Sequence, residues 1–263
     1  MAALSDGPHV VRIEVVTESQ RAPDNFGGFA LARNAKALTP PRRTRQIEFI
    51  GDSHTVGYGN TSRTRSCTPD EVWATTDNSQ AFGPLTAGHY HADYQINAIS
   101  GRGIVRNYNG SAGDPLPVVY PYGLFDKRAV VNDKTWKPQI IVIALGTNDF
   151  STPLNPTERW KSRDELHADF EATYVKFVQS IRAKDARVFF ILITTGGTDE
   201  MQAEVRKVVG QLNAAGESRV AFIPVNGLSM TGCDWHPSSA DDKLIEGELV
   251  RFIDADPLLW QGK

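Results

Sequence analysis

The sequence predicts an α/β fold, a three-layer α/β/α sandwich whose central sheet is parallel. Two observations carry this prediction. Short apolar segments alternate along the chain with longer segments in which apolar residues recur at the helical spacing. The short segments are almost uniformly apolar, which is expected when helices cover both faces of a parallel sheet.

Five short segments are predicted to be the strands of this sheet. They are Ile47–Ile50, Tyr94–Ala98, Ile140–Leu145, Val188–Thr194 and Val220–Val225. The segments 57–80 and 102–141 show little periodicity and are predicted to be long loops, which in compact domains are usually functional or mobile.

Three of the connecting segments have the apolar spacing of amphipathic helices. Their apolar positions are Leu166, Phe170, Tyr174, Phe177 and Ile181 in the first, Met201, Val205, Val208 and Leu212 in the second, and Ile245, Leu249 and Phe252 in the third. Residues three or four positions apart share a helix face, so each set predicts one helix with a buried side.

The first 43 residues are predicted to be a separate β segment. Val11–Val15 alternate apolar and polar residues, and Phe26–Leu31 are predicted to be a second strand. Because two strands alone are marginally stable, this segment is expected to pack on the next domain or to be the end of a larger β-sandwich. The PPRR stretch sets the boundary, which gives domains 1–43 and 44–263.

Composition argues against nucleic acid and membrane partners. The 263 residues are 40% hydrophobic and 22% charged, with a net charge of -3. The longest apolar stretch, Val188–Ile193, is too short to cross a bilayer, and MAALSDGPHV lacks the basic start and apolar middle of a signal peptide. The sequence makes no prediction of oligomeric state.

Cysteine and histidine usage predicts no metal site. Cys67 and Cys233 are the only cysteines, and neither has metal-ligand spacing. They are compatible with two free thiols or with one disulfide. The sequence contains no HExxH motif and no cluster of histidines.

Four polar motifs follow predicted strands. They are Gly51-Asp52-Ser53, Ser100-Gly101-Arg102-Gly103, Gly146-Thr147-Asn148-Asp149 and Cys233-Asp234-Trp235-His236-Pro237. Each alone has an ordinary interpretation as a turn, a flexible connection or a helix start. Because ligands bind outside the carboxyl ends of the strands in open α/β sheets, their joint placement favours one active site.

Ser53 and His236 have the chemistry of a nucleophile and its base. A serine hydroxyl is a weak nucleophile until a base takes its proton, and a histidine with an ordinary pKa of about 6.5 is neutral and basic near pH 7. The oxyanion formed on an attacked carbonyl needs donors, and the N–H groups of Ser53 and Gly101 and the amide of Asn148 are the candidates. Gly101 lacks a Cβ and so lets the backbone approach a ligand.

These four blocks resemble the SGNH (GDSL-type) hydrolase superfamily. IEFIGDS, GYGN, SGRG, LGTNDF and GCDWHP are more specifically similar to carbohydrate esterase family two, the acetyl xylan esterases, over about residues 44–254. The resemblance implies a flavodoxin-like domain with a five-stranded parallel sheet, Ser53 as nucleophile, His236 as base, and Gly101 and Asn148 in the oxyanion hole. It also implies a secreted or periplasmic serine esterase without cofactor, which removes O-acetyl groups from plant cell-wall polysaccharide or oligosaccharide through an acyl-enzyme.

The sequence departs from the family pattern in two places. Family members carry a complete β-sandwich before the hydrolase domain, so the short segment here is expected to be a truncated or naturally reduced version. His54 stands where the family often has isoleucine, and Val56 where a cysteine is common. No contact is assigned to either position.

Two interpretations are open for the group that orients His236. The superfamily usually has an aspartate three residues before the histidine, where this chain has Cys233. Asp234 is the preferred candidate, and a backbone carbonyl is the alternative, since the closer family uses either. Trp235 is predicted to cover the loop or to offer an apolar platform to a sugar ring or the acetyl methyl group.

The remaining polar residues are given structural roles. Asp52 is expected to hold its turn by accepting backbone hydrogen bonds, and Asp199 to belong to a helix N-terminus. Arg102 and Arg106 are expected at the surface, where they would at most line the rim of the site. Surface positions on helices are also expected for His89, His91 and His167.

Two alternative functions are kept. The first is an esterase, lipase or thioesterase of the same superfamily acting on small acyl or lipid esters, although the loops after the motifs are polar and a pocket for an acyl tail should be apolar. The second is a carbohydrate-binding module with residual catalysis. The presence of both Ser53 and His236 argues against it.

Overall fold

A five-stranded sheet lies at the centre of the computed structural model, which describes residues 5, 7–18, 25–40, 42–123 and 127–261. The strands are β1 (Gln46–Gly51), β2 (Asp93–Ala98), β3 (Ile140–Ala144), β4 (Phe189–Thr195) and β5 (Val220–Val225). All neighbours are parallel, in the order β2-β1-β3-β4-β5. The five predicted strands are therefore confirmed, each within one residue of its predicted ends.

The described part of the chain contains eight α-helices. They are α1 (Ser53–Val56), α2 (Pro69–Thr75), α3 (Phe82–His89), α4 (Leu116–Val119), α5 (Thr147–Phe150), α6 (Arg163–Arg182), α7 (Asp199–Ala214) and α8 (Ser239–Ala255). Short 3₁₀ turns cover Asn78–Gln80, Tyr108–Gly110, Cys233–Trp235 and Pro257–Trp260. The three predicted amphipathic helices correspond to α6, α7 and α8, and the expected N-cap position before Asp199 is occupied by Thr198.

Helices cover both faces of the sheet, which confirms the three-layer sandwich. Ile141 and Ile143 of β3 pack into a core cluster with the apolar faces of α6 and α7. Ile140 and Val142 point the other way and pack with residues of α3 and α8. Because successive side chains of a strand alternate between faces, a uniformly apolar strand such as β3 supplies both cores.

The two strands predicted in the N-terminal segment are wrong. The structure assigns no strand to Val11–Val15 or to Phe26–Leu31. A strand needs a neighbour to pair with, and the described part of this segment instead makes isolated contacts with residues outside it. The carbonyl of Val16 accepts from the N–H of Asn78 at 2.7 Å.

Across the ranges that the structure describes, none of the helices is both long enough and apolar enough to cross a bilayer.

Candidate active site

Ser53 is placed by a sharp turn between β1 and α1. A Cβ on Gly51 would lie 1.9 Å from the Thr55 Oγ1 atom, so the strand must end on a glycine. Asp52 is the N-cap of α1, and its Oδ1 accepts from the N–H of His54 at 3.0 Å. This confirms the turn-holding role expected for Asp52. The turn leaves Ser53 as the first residue of the helix, at the carboxyl edge of the sheet.

The structure brings Ser53 and His236 together. The Nε2 atom of His236 lies 2.9 Å from the Oγ atom of Ser53, within hydrogen-bond distance. His236 follows the 3₁₀ turn Cys233–Trp235, on the long connection between β5 and α8. The distance is that of a serine whose proton can pass to an imidazole.

The second ring nitrogen of His236 contacts a backbone carbonyl. Nδ1 lies 2.8 Å from the carbonyl oxygen of Cys233, an acceptor only. Nδ1 therefore carries the proton, and the lone pair of Nε2 faces Ser53. The Oδ2 atom of Asp234 instead accepts from the hydroxyl of Tyr58 at 3.2 Å. The geometry thus matches the carbonyl alternative, and not the preferred candidate Asp234.

The surroundings of His236 favour its neutral form. Burial lowers the pKa of His236, because a charged imidazolium is poorly solvated there. The ring of Tyr58 lies over it with centroids 4.3 Å apart, and the ring of His54 meets it edge-on at 5.3 Å. Burial, together with the nearby His236, lowers the pKa of His54 to about 3, so His54 is uncharged as well.

A disulfide joins Cys67 to Cys233, which excludes the free-thiol alternative. It links the long loop after Ser53 to the residue whose carbonyl contacts His236. Gly59 packs on the same residue, since a Cβ there would lie 2.4 Å from the Cβ of Cys233. The carbonyl of Gly59 also accepts from the N–H of Cys233 at 3.3 Å. The acceptor of His236 is therefore held covalently and by packing.

Two of the candidate oxyanion donors are backbone N–H groups without a hydrogen-bond partner. The N–H groups of Ser53 and Gly101 donate to no acceptor in the part of the chain that the structure describes. Gly101 has φ +79°, which favours glycine, and a Cβ there would meet only the Cβ of Tyr108 at 4.0 Å. The space in the direction of a Gly101 side chain is therefore open.

The amide of Asn148 is already engaged. Its Nδ2 atom donates to the Oδ2 of Asp52 at 3.1 Å and to the carbonyl of Arg102 at 2.9 Å. Burial raises the pKa of Asp52 to about 7, partly opposed by its hydrogen bond from the N–H of His54. The amide thus connects the Asp52–Ser53 turn to the loop after β2, and its two N–H groups are both in use.

Asp149 is a residue of this region to which the sequence analysis assigned no role. Its buried carboxylate accepts from the backbone N–H groups of Ile104, Val105 and Arg106, each at 2.9 Å. Burial raises its pKa to about 6, against the opposing effect of these hydrogen bonds. Asp149 holds the loop that carries Gly101. Its position beside Asn148 in the LGTNDF block could have marked Asp149 as a residue of the site. The sequence does not show which loop its carboxylate contacts.

The surface position expected for Arg106 is wrong, and His167 is only partly exposed. Arg106 is 1% exposed and pairs with Glu158, with its Nε atom 2.6 Å from the carboxylate. His167 has a side chain only 20% exposed, and its Nε2 lies 2.6 Å from the Oε1 of Glu200. A buried guanidinium is recognisable only from the groups that neutralise it, and these are distant in sequence.

Trp235, the residue before His236, is exposed to solvent. It is 65% exposed, and the guanidinium of Arg65 lies 4.0 Å from the centre of its ring. Asp234 and Trp235 have φ of +51° and +63°, values that non-glycine residues adopt rarely. The loop therefore exposes an indole ring on the residue before His236.

Within the described ranges, no group of three or more histidine, cysteine, aspartate or glutamate side chains is arranged to hold a metal ion.

Comparison with known proteins relates the chain to a large hydrolase family. The sequence profile of the GDSL-like Lipase/Acylhydrolase family matches residues 49–245. An acetylxylan esterase / glucomannan deacetylase from Cellvibrio japonicus is 50% identical over 260 residues, which are 98% of this chain and 72% of that protein.

Two solved structures extend the comparison. A carbohydrate esterase whose active site is described as having divergent catalytic and non-catalytic binding functions has a TM-score of 0.82 and 52% identity, covering 84% of this chain and 71% of that one. A family two carbohydrate esterase from Clostridium thermocellum, solved with cellohexaose, has a TM-score of 0.73 and 30% identity, covering 85% of this chain and 67% of that one.

Proposed function

The chain belongs to the GDSL-like lipase/acylhydrolase family and is a carboxylic ester hydrolase of the carbohydrate esterase type, and we propose that Ser53 and His236 are the residues that carry its reaction. The proposed reaction removes O-acetyl groups from plant cell-wall polysaccharide or oligosaccharide. The 2.9 Å contact between His236 Nε2 and Ser53 Oγ is the observation that carries the proposal.

The first half of the reaction forms an acyl-enzyme. Nε2 of His236 takes the proton of the Ser53 hydroxyl while Oγ attacks the acetyl carbonyl carbon. The carbonyl oxygen becomes an oxyanion, and the free N–H groups of Ser53 and Gly101 donate to it. When the intermediate collapses, the bond to the sugar oxygen breaks, and that oxygen takes the proton from Nε2.

The second half releases acetate. Nε2 takes a proton from a water molecule, which attacks the acyl carbon, and the Ser53 oxygen leaves with the proton from Nε2. In both halves the Nδ1–H group of His236 donates a hydrogen bond to the Cys233 carbonyl oxygen. This bond strengthens as the ring becomes charged, and so it stabilises the imidazolium.

Asn148 is the proposed third donor of the oxyanion hole. Both of its N–H groups are engaged before substrate binds, so it must share one of them with the oxyanion. The N–H group that now donates to the Arg102 carbonyl is the easier one to share with the oxyanion, because that carbonyl is a neutral acceptor. The Asp52 carboxylate, when ionised, binds the other N–H group more strongly.

The proposed substrate is an acetylated sugar polymer. The exposed face of Trp235 suits stacking against a sugar ring, and the relatives include an acetylxylan esterase / glucomannan deacetylase. A polymer of this kind and a disulfide both fit a protein that works outside the reducing cytoplasm, so we place it in a secreted or periplasmic setting.

Acetate release tests this function. Acetylated xylan, acetylated glucomannan and a lipid ester are offered to the wild type and to Ser53→Ala, and free acetate or fatty acid is measured. The proposal expects acetate from at least one polysaccharide with the wild type and none above background with Ser53→Ala. Preference for the lipid ester would favour the lipase alternative, and polysaccharide binding without acetate release would favour a binding module.

A further inference from the structure

Glu18 contacts the loop that carries Gly101. Its Oε1 accepts from the backbone N–H of Ser100 at 2.8 Å, and its Oε2 accepts from the Ser100 hydroxyl at 2.5 Å. Both oxygens of the Glu18 carboxylate therefore accept hydrogen bonds from the same residue, Ser100. The two residues are 82 positions apart, and Glu18 lies in the N-terminal segment, outside the family match at residues 49–245.

Ser100 precedes the backbone donor of the site. The N–H of Gly101 belongs to the peptide group that joins Ser100 to Gly101, so the orientation of Ser100 sets the direction of that N–H. On the C-terminal side of this peptide group, the Gly101 carbonyl accepts from the N–H of Tyr108 at 2.8 Å. Among the described residues, Glu18 is the acceptor for both donors of Ser100.

A simple tether for the N-terminal segment would not need this contact. The segment is already attached through Val16 to Asn78, and the Oε1 of Glu14 accepts from the Tyr94 hydroxyl at 2.7 Å. Charge-assisted bonds are also stronger than neutral ones, so a carboxylate that takes two of them restrains its partner.

The charge of Glu18 reaches the nucleophile turn. Burial is the main cause of the raised pKa of Asp52, and the negative charge of Glu18 adds to it. Glu18 likewise adds to the raised pKa of Tyr58, which burial and Asp234 mainly cause. The negative charge of Glu18 therefore acts on two groups of the site, in addition to the contact of its carboxylate with Ser100.

We propose that Glu18 is a positioning residue of the esterase reaction, which holds Ser100 so that the Gly101 N–H points to the place where the oxyanion forms. The proposal rests on the proposed function in one respect, the role of Gly101 as an oxyanion donor. The proposal gives one residue of the N-terminal segment, Glu18, an indirect part in the reaction.

Three variants test the role of Glu18 with 4-nitrophenyl acetate as substrate. Glu18→Ala removes both acceptors, and Glu18→Gln keeps one. Glu14→Gln is the matched control, because it alters a carboxylate on the same segment that meets Tyr94 and not the loop. Values of kcat and KM are measured for each, and circular dichroism melting checks that each is folded.

We expect a loss in kcat and not in KM. Removing an oxyanion donor outright costs about 10²–10³ in kcat, and a misdirected donor should cost less, so Glu18→Ala should lose about 10- to 100-fold with KM within about threefold. Glu18→Gln should fall between Glu18→Ala and the wild type, and Glu14→Gln should stay within about twofold of the wild type. Should Glu18→Ala not fold, Glu18→Gln carries the test.

Several outcomes would overturn the inference. An unchanged kcat in both Glu18 variants would show that Glu18 does not position the Gly101 N–H. A rise in KM alone would indicate that Glu18 contacts the substrate instead. Equal losses in Glu18→Gln and Glu14→Gln would reduce it to a tether. The proposed polysaccharide substrate is tested separately. If the wild type cleaved 4-nitrophenyl acetate but no acetylated polysaccharide, that substrate would be wrong, and the test of Glu18 would still be valid.

Discussion

The Nδ1 atom of His236 lies 2.8 Å from the carbonyl oxygen of Cys233, and the neighbouring carboxylate of Asp234 contacts Tyr58 instead. The acceptor that sets the tautomer of the ring is thus a neutral backbone group. A carboxylate would stabilise the imidazolium more strongly, whereas the carbonyl mainly fixes ring orientation. This distinction gives the first prediction.

Asp234→Asn should cost little activity. We expect kcat to fall less than about tenfold, far from the roughly 10⁴-fold loss when the aspartate of a serine-protease triad becomes asparagine. Tyr58→Phe removes the same Tyr58–Asp234 hydrogen bond from the other side and should give a loss of similar size. Steady-state kinetics with an acetyl ester measure both. A thousandfold loss in Asp234→Asn would return the orienting role to the carboxylate.

Breaking the Cys67–Cys233 disulfide should lower both stability and turnover. The link closes a loop between residues 166 positions apart, and loss of a native disulfide typically costs about 2–4 kcal/mol of unfolding free energy. Turnover should fall as well, because Cys233 carries the carbonyl that holds His236. Urea unfolding and kcat of Cys67→Ser measure the two effects.

Reductant supplies the control for the disulfide. It should shift the wild type towards Cys67→Ser in both quantities and leave Cys67→Ser itself unchanged. If Cys67→Ser kept the turnover of the wild type while losing stability, the disulfide would not hold the His236 loop.

Activity should rise with pH at a midpoint below the ordinary histidine pKa of about 6.5. Protonated His236 cannot accept the Ser53 proton, so the rate increases as pH rises through its pKa. Burial lowers that pKa, which moves the increase to lower pH. Proton NMR titration, with His236→Asn for assignment, measures the pKa directly. A titration midpoint above 6.5 would contradict the burial argument.

Asn148→Ala should lose about 10²–10³ in kcat if the amide donates to the oxyanion. The same change also frees the Arg102 carbonyl and Asp52, so part of the loss reflects a displaced loop. KM should change little, because the oxyanion exists only after attack. A kcat within about threefold of the wild type would leave Ser53 and Gly101 as the only donors.

The sheet and the meeting of Ser53 with His236 could be predicted because both follow from local patterns and one topological rule. Apolar runs such as Ile140–Ala144 mark buried parallel strands, and the carboxyl ends of such strands share an edge. The motif after each strand then locates the site without knowledge of any loop. The same reasoning failed at Val11–Val15, because alternation indicates a strand only when a neighbouring strand exists.

The contacts that support Ser53, His236 and Gly101 could not be predicted. The acceptor for His236 depends on the backbone path through Asp234 and Trp235, and a carbonyl leaves no mark in the side-chain pattern. The pairing of Cys67 with Cys233 was equally open, since spacing does not distinguish a bond between distant cysteines from two thiols. The contact of Glu18 with Ser100 depends on how the N-terminal segment crosses the surface.

Labelling with a fluorophosphonate, which reacts with activated serine hydroxyls, tests most directly whether Ser53 is the nucleophile and His236 its base. Peptide mass spectrometry should find one adduct, on the peptide that contains Ser53. The label should be absent from Ser53→Ala and form far more slowly in His236→Ala. An adduct on another residue, or wild-type acetate release by Ser53→Ala, would contradict the account.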